Sequence, residues 1–412
     1  MRALSLLGLL LALGLASTVV LPWHAGASPD PQNDAVIAEI EVGPFPRSVA
    51  VNPLTNRIYV PSFVPAEVTP NPTQVSVFDG ASNTLIATVP IDTDPIGWGP
   101  ETVEVNPVTN RVYAVDTAGM VWVIDGSTND VVSTIDLAPE FKLFPADRHL
   151  AINPITNRIY VSDFANGKVS VLDGTTDTII HEIVFDQAHG IAVNPATNRI
   201  FVSNITHEDP NTIIGSVEVM AGDPEIVIAS ILTEPTWDTL HDTPFDIAVN
   251  TTTDIIYVTT EQGVLVIDGA TNETITALDL GYRCELRCNH IAVNETTDRV
   301  YVAGAGTISV IDGTENAIIA RRSIHGATGM TVNPTTDRIY VSGGSEVVVL
   351  DGAKLEEAQA ESAETVGGAF PPTGSAPGPG GPWQPLLLVV SGAAALALST
   401  LGVWAALRKT AT

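Results

Sequence analysis

The chain has 412 residues, with 47 Asp plus Glu against 18 Lys plus Arg and a formal net charge of −29. A surface this acidic repels phosphate backbones, which excludes nucleic acid as a partner and favours cationic groups or divalent cations. The same charge suits a protein that must stay soluble outside the cell.

The first element is a targeting segment. Met1-Arg2 is a basic start, Leu4 to Leu15 is apolar, Val19 to Leu21 extends it, and Ala25-Gly26-Ala27 offers a small-x-small cleavage site. Residues 1–27 therefore read as a secretory signal peptide, with an uncleaved N-terminal anchor as the alternative. Next, Ala35 to Val42 alternates apolar and polar residues as a strand does.

From Asn52 onward one phrase recurs. Asn-Pro-x-Thr-Asn-Arg-Ile-Tyr-Val, with small changes, begins at Asn52, Asn106, Asn153, Asn194, Asn250, Asn294 and Asn333. A self-similar unit of roughly 40–50 residues marks a propeller or a solenoid. Each unit holds short β-branched runs punctuated by Gly, Asn and Asp, which are strands joined by tight turns. In blade six these are Ile291-Ala292-Val293, Arg299-Val300-Tyr301-Val302 and Thr307 to Ile311, closed by Asp312-Gly313. No long helical periodicity interrupts Val36 to Leu350. Seven units of four strands predict an all-β, seven-bladed β-propeller over residues 35–352. Blade seven ends at Asp351-Gly352 with no fourth strand of its own, so Ala35–Val42 is expected to complete it and remove the open edge.

These units resemble the YVTN-type β-propeller repeat family of surface-layer and secreted prokaryotic proteins. The resemblance rests on the seven phrases and on the runs after them, such as Tyr160-Val161-Ser162-Asp163 and Phe201-Val202-Ser203-Asn204. Blade four departs with Ala221-Gly222 in place of Asp-Gly, and blade five with Asn250-Thr251 in place of Asn-Pro and Ile255 in place of Arg. The resemblance implies the fold and an exported location, and is nearly silent on chemistry.

Beyond the repeats, residues 353–385 form a linker rich in Pro and Gly, in which Lys354 to Glu364 has the composition of a short solvated helix or stalk. Leu386 to Leu407 is 22 residues without a charge, long enough to span a bilayer, and Arg408-Lys409 in the tail 408–412 orients it with the propeller outside. Phe370-Pro371-Pro372-Thr373-Gly374 resembles the Leu-Pro-x-Thr-Gly signal of sortase substrates, with Phe370 in place of Leu. That resemblance implies cleavage between Thr373 and Gly374 by a sortase partner. A permanent membrane helix is the alternative, and either leaves the propeller at the cell surface.

Function is sought where the copies differ. With strands A to D counted outward in each blade, the A–B and C–D turns share one rim and hardly vary. Arg57, Arg111, Arg158, Arg299 and Arg338 open strand B beside the Asp that closes strand C, so cross-strand pairing within the blade is expected. Calcium at the Asp-Gly turns is disfavoured, because no turn carries the alternating Asp pattern of a calcium loop.

The other rim carries every long insertion and gathers Phe63, Trp98, Phe141, Phe144, Trp237 and Tyr282. Variable loops on one face of a repeat array mark a binding face, and Trp and Tyr suit interfaces. Trp98, Trp237, Tyr282, Phe63, Phe141 and Asp246 are the candidate binding residues, for a protein or cell-wall glycan partner. The competing view is that these rings merely seat the loops.

The residues leading into strand A are expected to ring the channel mouth: Arg47, Glu101, Arg148, His149, His189, Asp246 and His290. Glu104 stands where five blades have Ala and one has Thr331. An enzyme would use His149, His189 and His290 as metal ligands or bases, with Glu101 or Glu104 as acid. There is no Ser nucleophile elbow, phosphate loop or haem-attachment motif, so no cofactor is expected beyond a divalent metal in that set. Cys284 and Cys288 are read as a disulfide of an exported chain, with zinc held by both and by His290 as the alternative. The expected function is a surface-anchored binding or adhesion propeller. A metal-dependent extracellular lyase or oxidoreductase is the first alternative and a structural surface-layer component the second.

Overall fold

The computed structural model describes residues 34–62, 73–92, 99–137, 147–209, 212–233, 243–283, 290–324 and 326–357. The signal segment, the linker with Thr373 and Gly374, the stretch Leu386 to Leu407, and Phe63, Trp98, Phe141, Phe144, Trp237, Cys284 and Cys288 lie outside them. Among the described residues no helix is long and apolar enough to cross a membrane.

The described strands form seven four-stranded antiparallel sheets, a seven-bladed propeller. Six blades are continuous in sequence. In the seventh, Val36–Glu41 adds to the outer edge of Glu346–Asp351, as expected from the missing fourth strand. It also carries the irregularity of a true fourth strand. A register shift lies between Val36 and Ala38, matching the shifts where the other fourth strands meet their neighbours, as between Val77 and Phe78.

Strands B and C are buried almost end to end, as in Arg158–Asp163 and Lys168–Asp173, because each lies between two neighbours and two adjacent blades. Strand D, as in Thr178–Val184, faces solvent over most of its length. The core is a circle of apolar clusters between blades. Tyr59, Val75 and Val77 of blade one pack with Val103, Val112 and Trp122 of blade two. Ile40 and Val42 of the N-terminal segment pack with Tyr340 and Val349 of blade seven and with Ile58 and Phe78 of blade one.

The repeated phrase has a concrete job on the uniform rim. Each of its seven leading asparagines is 0% exposed. Asn52 accepts the backbone N–H groups of Leu54 and Thr55 at its Oδ1, closing its own A–B turn, and its Nδ2 donates to Asn110 Oδ1 of blade two at 2.8 Å. The pattern continues from Asn106 to Asn157, Asn153 to Asn198, Asn194 to Asp254, Asn250 to Asp298 and Asn294 to Asp337, and returns from Asn333 to Asn56. A closed ring of side-chain hydrogen bonds thus ties each blade to the next. The acceptors sit at positive φ, 53° at Asn56 and 57° at Asp254, which Asn and Asp tolerate best after Gly. Against each acceptor lies the Gly of an Asp-Gly turn. A Cβ on Gly80 would stand 2.5 Å from Asn56 Oδ1. Blade four loses the Asp but keeps Gly222, whose Cβ would come within 2.3 Å of Asn198 Oδ1.

The arginines depart from the within-blade expectation. Register does place Arg57 opposite Asp79 and Arg111 opposite Asp125. Their guanidinium groups reach instead to the next blade, Arg57 to the Gly126 carbonyl and Arg111 to Gly174 O and Asp177. Arg338 likewise donates to Gly80 O at 2.6 Å. Only Arg158–Asp173 and Arg299–Asp312 pair within a blade, and Arg299 also holds Glu356 at 2.7 Å on a helical turn over 352–357. The long side chains of Arg57, Arg111 and Arg338 thus reach a turn carbonyl of the adjacent blade, while the Asp opposite accepts the N–H groups of its own turn, as Asp79 does from Ala81 and Ser82.

Candidate functional site

On the opposite rim the innermost strands surround a cavity of about 490 Å³. Arg47, Glu101, Glu104, His149, His189, Asp246 and His290 line it, Glu104 from within strand A of blade two and the others from the start of a strand A or the segment leading into one. All five candidate catalytic residues, and the candidate binding residue Asp246, therefore face one space. The insertions leave and rejoin the propeller around this same rim, between Ser62 and Thr73, Asp92 and Gly99, Leu137 and Asp147, Thr233 and Thr243, and Arg283 and His290.

Arg148 does not join them. It is 1% exposed and turns outward between blades two and three. Its Nη2 and Nε bind Asp163 Oδ2 at 2.6 and 3.0 Å, and Nη1 donates to the Thr117 carbonyl at 2.6 Å. The side chain in the cavity is the preceding Asp147, which sequence reasoning missed. The signal available was its place at the end of the insertion, next to His149 in an Asp-Arg-His run. Pairing with strand B continues past Leu150, with Ser162 N–H donating to the His149 carbonyl and Phe164 N–H to the Asp147 carbonyl, so alternation puts Asp147 and His149 on the cavity side and Arg148 on the other.

Asp147, His149 and His189 each offer a donor atom, and these atoms lie within 4.8 Å of one another. His189 is the best anchored. It is 6% exposed, its Nε2 stands 2.8 Å from Asp147 Oδ2, and its Nδ1 stands 3.3 Å from the Phe245 carbonyl. The His149 ring lies 4.8 Å from it at a 41° tilt, and the rings of Phe164 and Phe245 meet it edge-on. Gly190 makes the Phe245 contact possible, since a Cβ there would stand 2.1 Å from that carbonyl oxygen. Ser203 Oγ shares the carbonyl at 2.5 Å.

Charge around the cavity is tuned by burial. Asp246 accepts the backbone N–H of Ile247 at 2.9 Å and of Ile291 in blade six at 3.2 Å. Burial still pushes its carboxyl up to about 6, those two bonds and His189 working against the shift and Asp147 adding to it. Burial raises Glu104 to about 7, opposed by the N–H of Val105 and reinforced by Asp246. Burial also lowers His290 to about 4, with Asp147 opposing and His189 adding to the fall. These three groups keep some contact with the cavity interior, yet protein encloses them on most sides. Glu101 instead pairs with Arg47 at 3.3 Å. Tyr282 is partly buried against the cluster containing Tyr257, Leu280 and Val300, and burial raises its hydroxyl to about 12.

No protein-family model and no curated protein matches the chain in sequence. Its fold is similar to a solved structure from Kuenenia stuttgartiensis, described as hydrazine synthase, at a TM-score of 0.60 and 13% identity. That match covers 75% of this chain and 96% of the other, and at such identity the likeness is one of fold.

Proposed function

We propose that the chain is an exported propeller, held at the cell surface by its C-terminal segment, and that it acts as a binding module through the insertion-rich rim. One observation carries this reading: the long insertions and the charged cavity share one end of the propeller, while the other end is spent on the ring that joins the blades. Support for export and anchoring comes from residues 1–27 and Leu386 to Leu407, and from the resemblance of the repeats to YVTN-type surface propellers and of Phe370 to Gly374 to a sorting signal. A polar ligand such as cell-wall glycan would rest on Trp98 and Trp237 and reach Asp246 and Arg47 with its polar groups.

The test is sedimentation of the full chain with purified cell-wall glycan. Trp98→Ala and Trp237→Ala are each expected to weaken binding about tenfold or more, in line with aromatic anchors at an interface. Unchanged binding in both variants removes the aromatic rim from the reading. A second reading, a metal-dependent extracellular enzyme, draws support from Asp147, His149 and His189 sharing a cavity with Glu104, whose carboxyl burial raises to about 7.

A further inference from the structure

We infer that Asp147, His149 and His189 form a site for one divalent transition-metal ion, open toward the central cavity. His189 anchors the site. Both of its ring nitrogens face acceptors, the Phe245 carbonyl at Nδ1 and the Asp147 carboxylate at Nε2. A neutral imidazole has one N–H, and in the tautomer that carries it on Nδ1 the ring donates it to the carbonyl. The Nε2 lone pair then points at a carboxylate oxygen 2.8 Å away, with His189 and Asp147 each 6% exposed. Two lone pairs at that distance in a buried site need a positive charge to share. A histidine that donates one N–H to a backbone carbonyl and offers the other nitrogen to a metal is a recurrent arrangement, because the carbonyl sets the tautomer and the ring orientation.

A proton on Nε2 would also satisfy the pair, and three further observations favour an ion. The His149 ring lies 4.8 Å from that of His189, which places a second imidazole donor where a purely structural ion pair needs none. Donor atoms of all three residues fall within 4.8 Å of one another. Donors bound at about 2.0–2.2 Å to a single ion stand about 3–3.5 Å apart in tetrahedral or octahedral geometry, so binding needs the His149 ring to move in by about an ångström and the His189–Asp147 pair to part slightly. His149 is only half-buried, which leaves its ring room for that adjustment. Finally, the chain carries a net charge of −29, which concentrates cations at its surface.

Two imidazoles and one carboxylate select zinc, iron(II), cobalt or nickel over calcium and magnesium. Three protein donors leave further coordination positions facing a cavity of about 490 Å³, the pattern of an ion that binds water or a ligand group and not of a closed structural site. This deepens the proposed binding function: the ion would receive an oxygen donor of whatever docks at the rim.

The test uses the full chain in mild detergent, stripped with a chelator and titrated with zinc by calorimetry and with cobalt(II) by visible absorption. One equivalent of zinc per chain is expected, with a cobalt spectrum of mixed N/O ligation. His149→Ala and His189→Ala should each weaken zinc binding about 100-fold or more, and Asp147→Asn should weaken it and shift the cobalt bands. Circular dichroism checks that the variants fold, and His149→Ala, at the half-buried position, keeps the test decisive if His189→Ala does not. No stoichiometric binding by the wild type, which is the outcome if a proton holds the His189–Asp147 pair, overturns the inference. So does binding that both histidine changes leave intact. Glycan sedimentation reports separately on the rim, so zinc uptake with unimpaired glycan binding by Trp98→Ala and Trp237→Ala would reject the aromatic docking surface and leave the metal site standing.

Discussion

Asn153 combines two roles in one buried side chain. Its Oδ1 caps the turn through Ile155 and Thr156, and its Nδ2 donates to Asn198. Asn153→Ala removes both and leaves turn N–H groups without their partner, so it should cost about 2–4 kcal/mol in urea unfolding. The acceptor positions are more tolerant. Asp already serves there in blades five, six and seven, as Asp254, Asp298 and Asp337, at the same positive φ. Asn198→Asp should therefore change stability by less than about 1 kcal/mol, whereas Asn153→Asp keeps the turn cap but loses the donor and sets a buried carboxylate against Asn198 Oδ1, which should cost about 2 kcal/mol or more. Equal losses in Asn198→Asp and Asn153→Asp would contradict the directional ring.

Glu104 gives a pH-dependent prediction at the same scale. Its folded value is about 7 against an ordinary 4.5, so the folded state holds the proton more tightly than the unfolded chain. Below pH 4.5 both states are protonated and the group is neutral in its effect. As pH rises from 4.5 to about 7 the unfolded chain ionises first and stability falls, levelling off above pH 7. In chelator-treated protein, Glu104→Gln should raise stability by about 3 kcal/mol above pH 7 and do nothing below pH 4.5. A gain independent of pH would point to packing as its cause.

At the scale of elements, blades two and three are joined by Arg148. Its pairing with Asp163 is buried on both sides, each side chain 1% exposed, and Asp163 also accepts from the N–H and side-chain amide of Asn166. Arg148→Met leaves Asp163 charged in the core and should cost about 3–5 kcal/mol, with the double change Arg148→Met plus Asp163→Leu recovering part of the loss. The comparison of denaturant midpoints decides this, and a double variant no more stable than the single one would mean that the arginine acts mainly through the Thr117 carbonyl. Repeat logic predicted that something polar precedes strand A here, but which of the alternating residues faces the cavity depends on the register against strand B, where Ser162 N–H bonds the His149 carbonyl and Phe164 N–H the Asp147 carbonyl.

Across the whole molecule the decisive element is the N-terminal strand. It joins the outer edge of the last blade, and Ile40 is 5% exposed between blades seven and one. Ile40→Ala should cost about 2–4 kcal/mol, while Val36→Ala, at a half-buried position, should cost under about 1 kcal/mol. Unfolding midpoints that do not distinguish the two would argue against closure by this strand. Closure also explains why the uniform rim is so uniform. A ring of seven equivalent contacts has to return to its start, and Asn333 to Asn56 is where it does.

Much of this was legible in the chain itself. Seven phrases with a constant offset to turn residues dictate seven like units, because backbone hydrogen bonding and the φ demands of tight turns are local and repeat with the sequence. The unmatched strand at Ala35–Val42 could be assigned to the last blade by counting alone. Which residues converge on the cavity was also partly readable, since the ends of strand A share an axis in any propeller. What the tertiary structure decided was direction and partner. It turned the arginines toward the next blade, sent Arg148 into the core, and put Asp147 against His189. Those outcomes rest on contacts between residues far apart in sequence, which no local periodicity specifies.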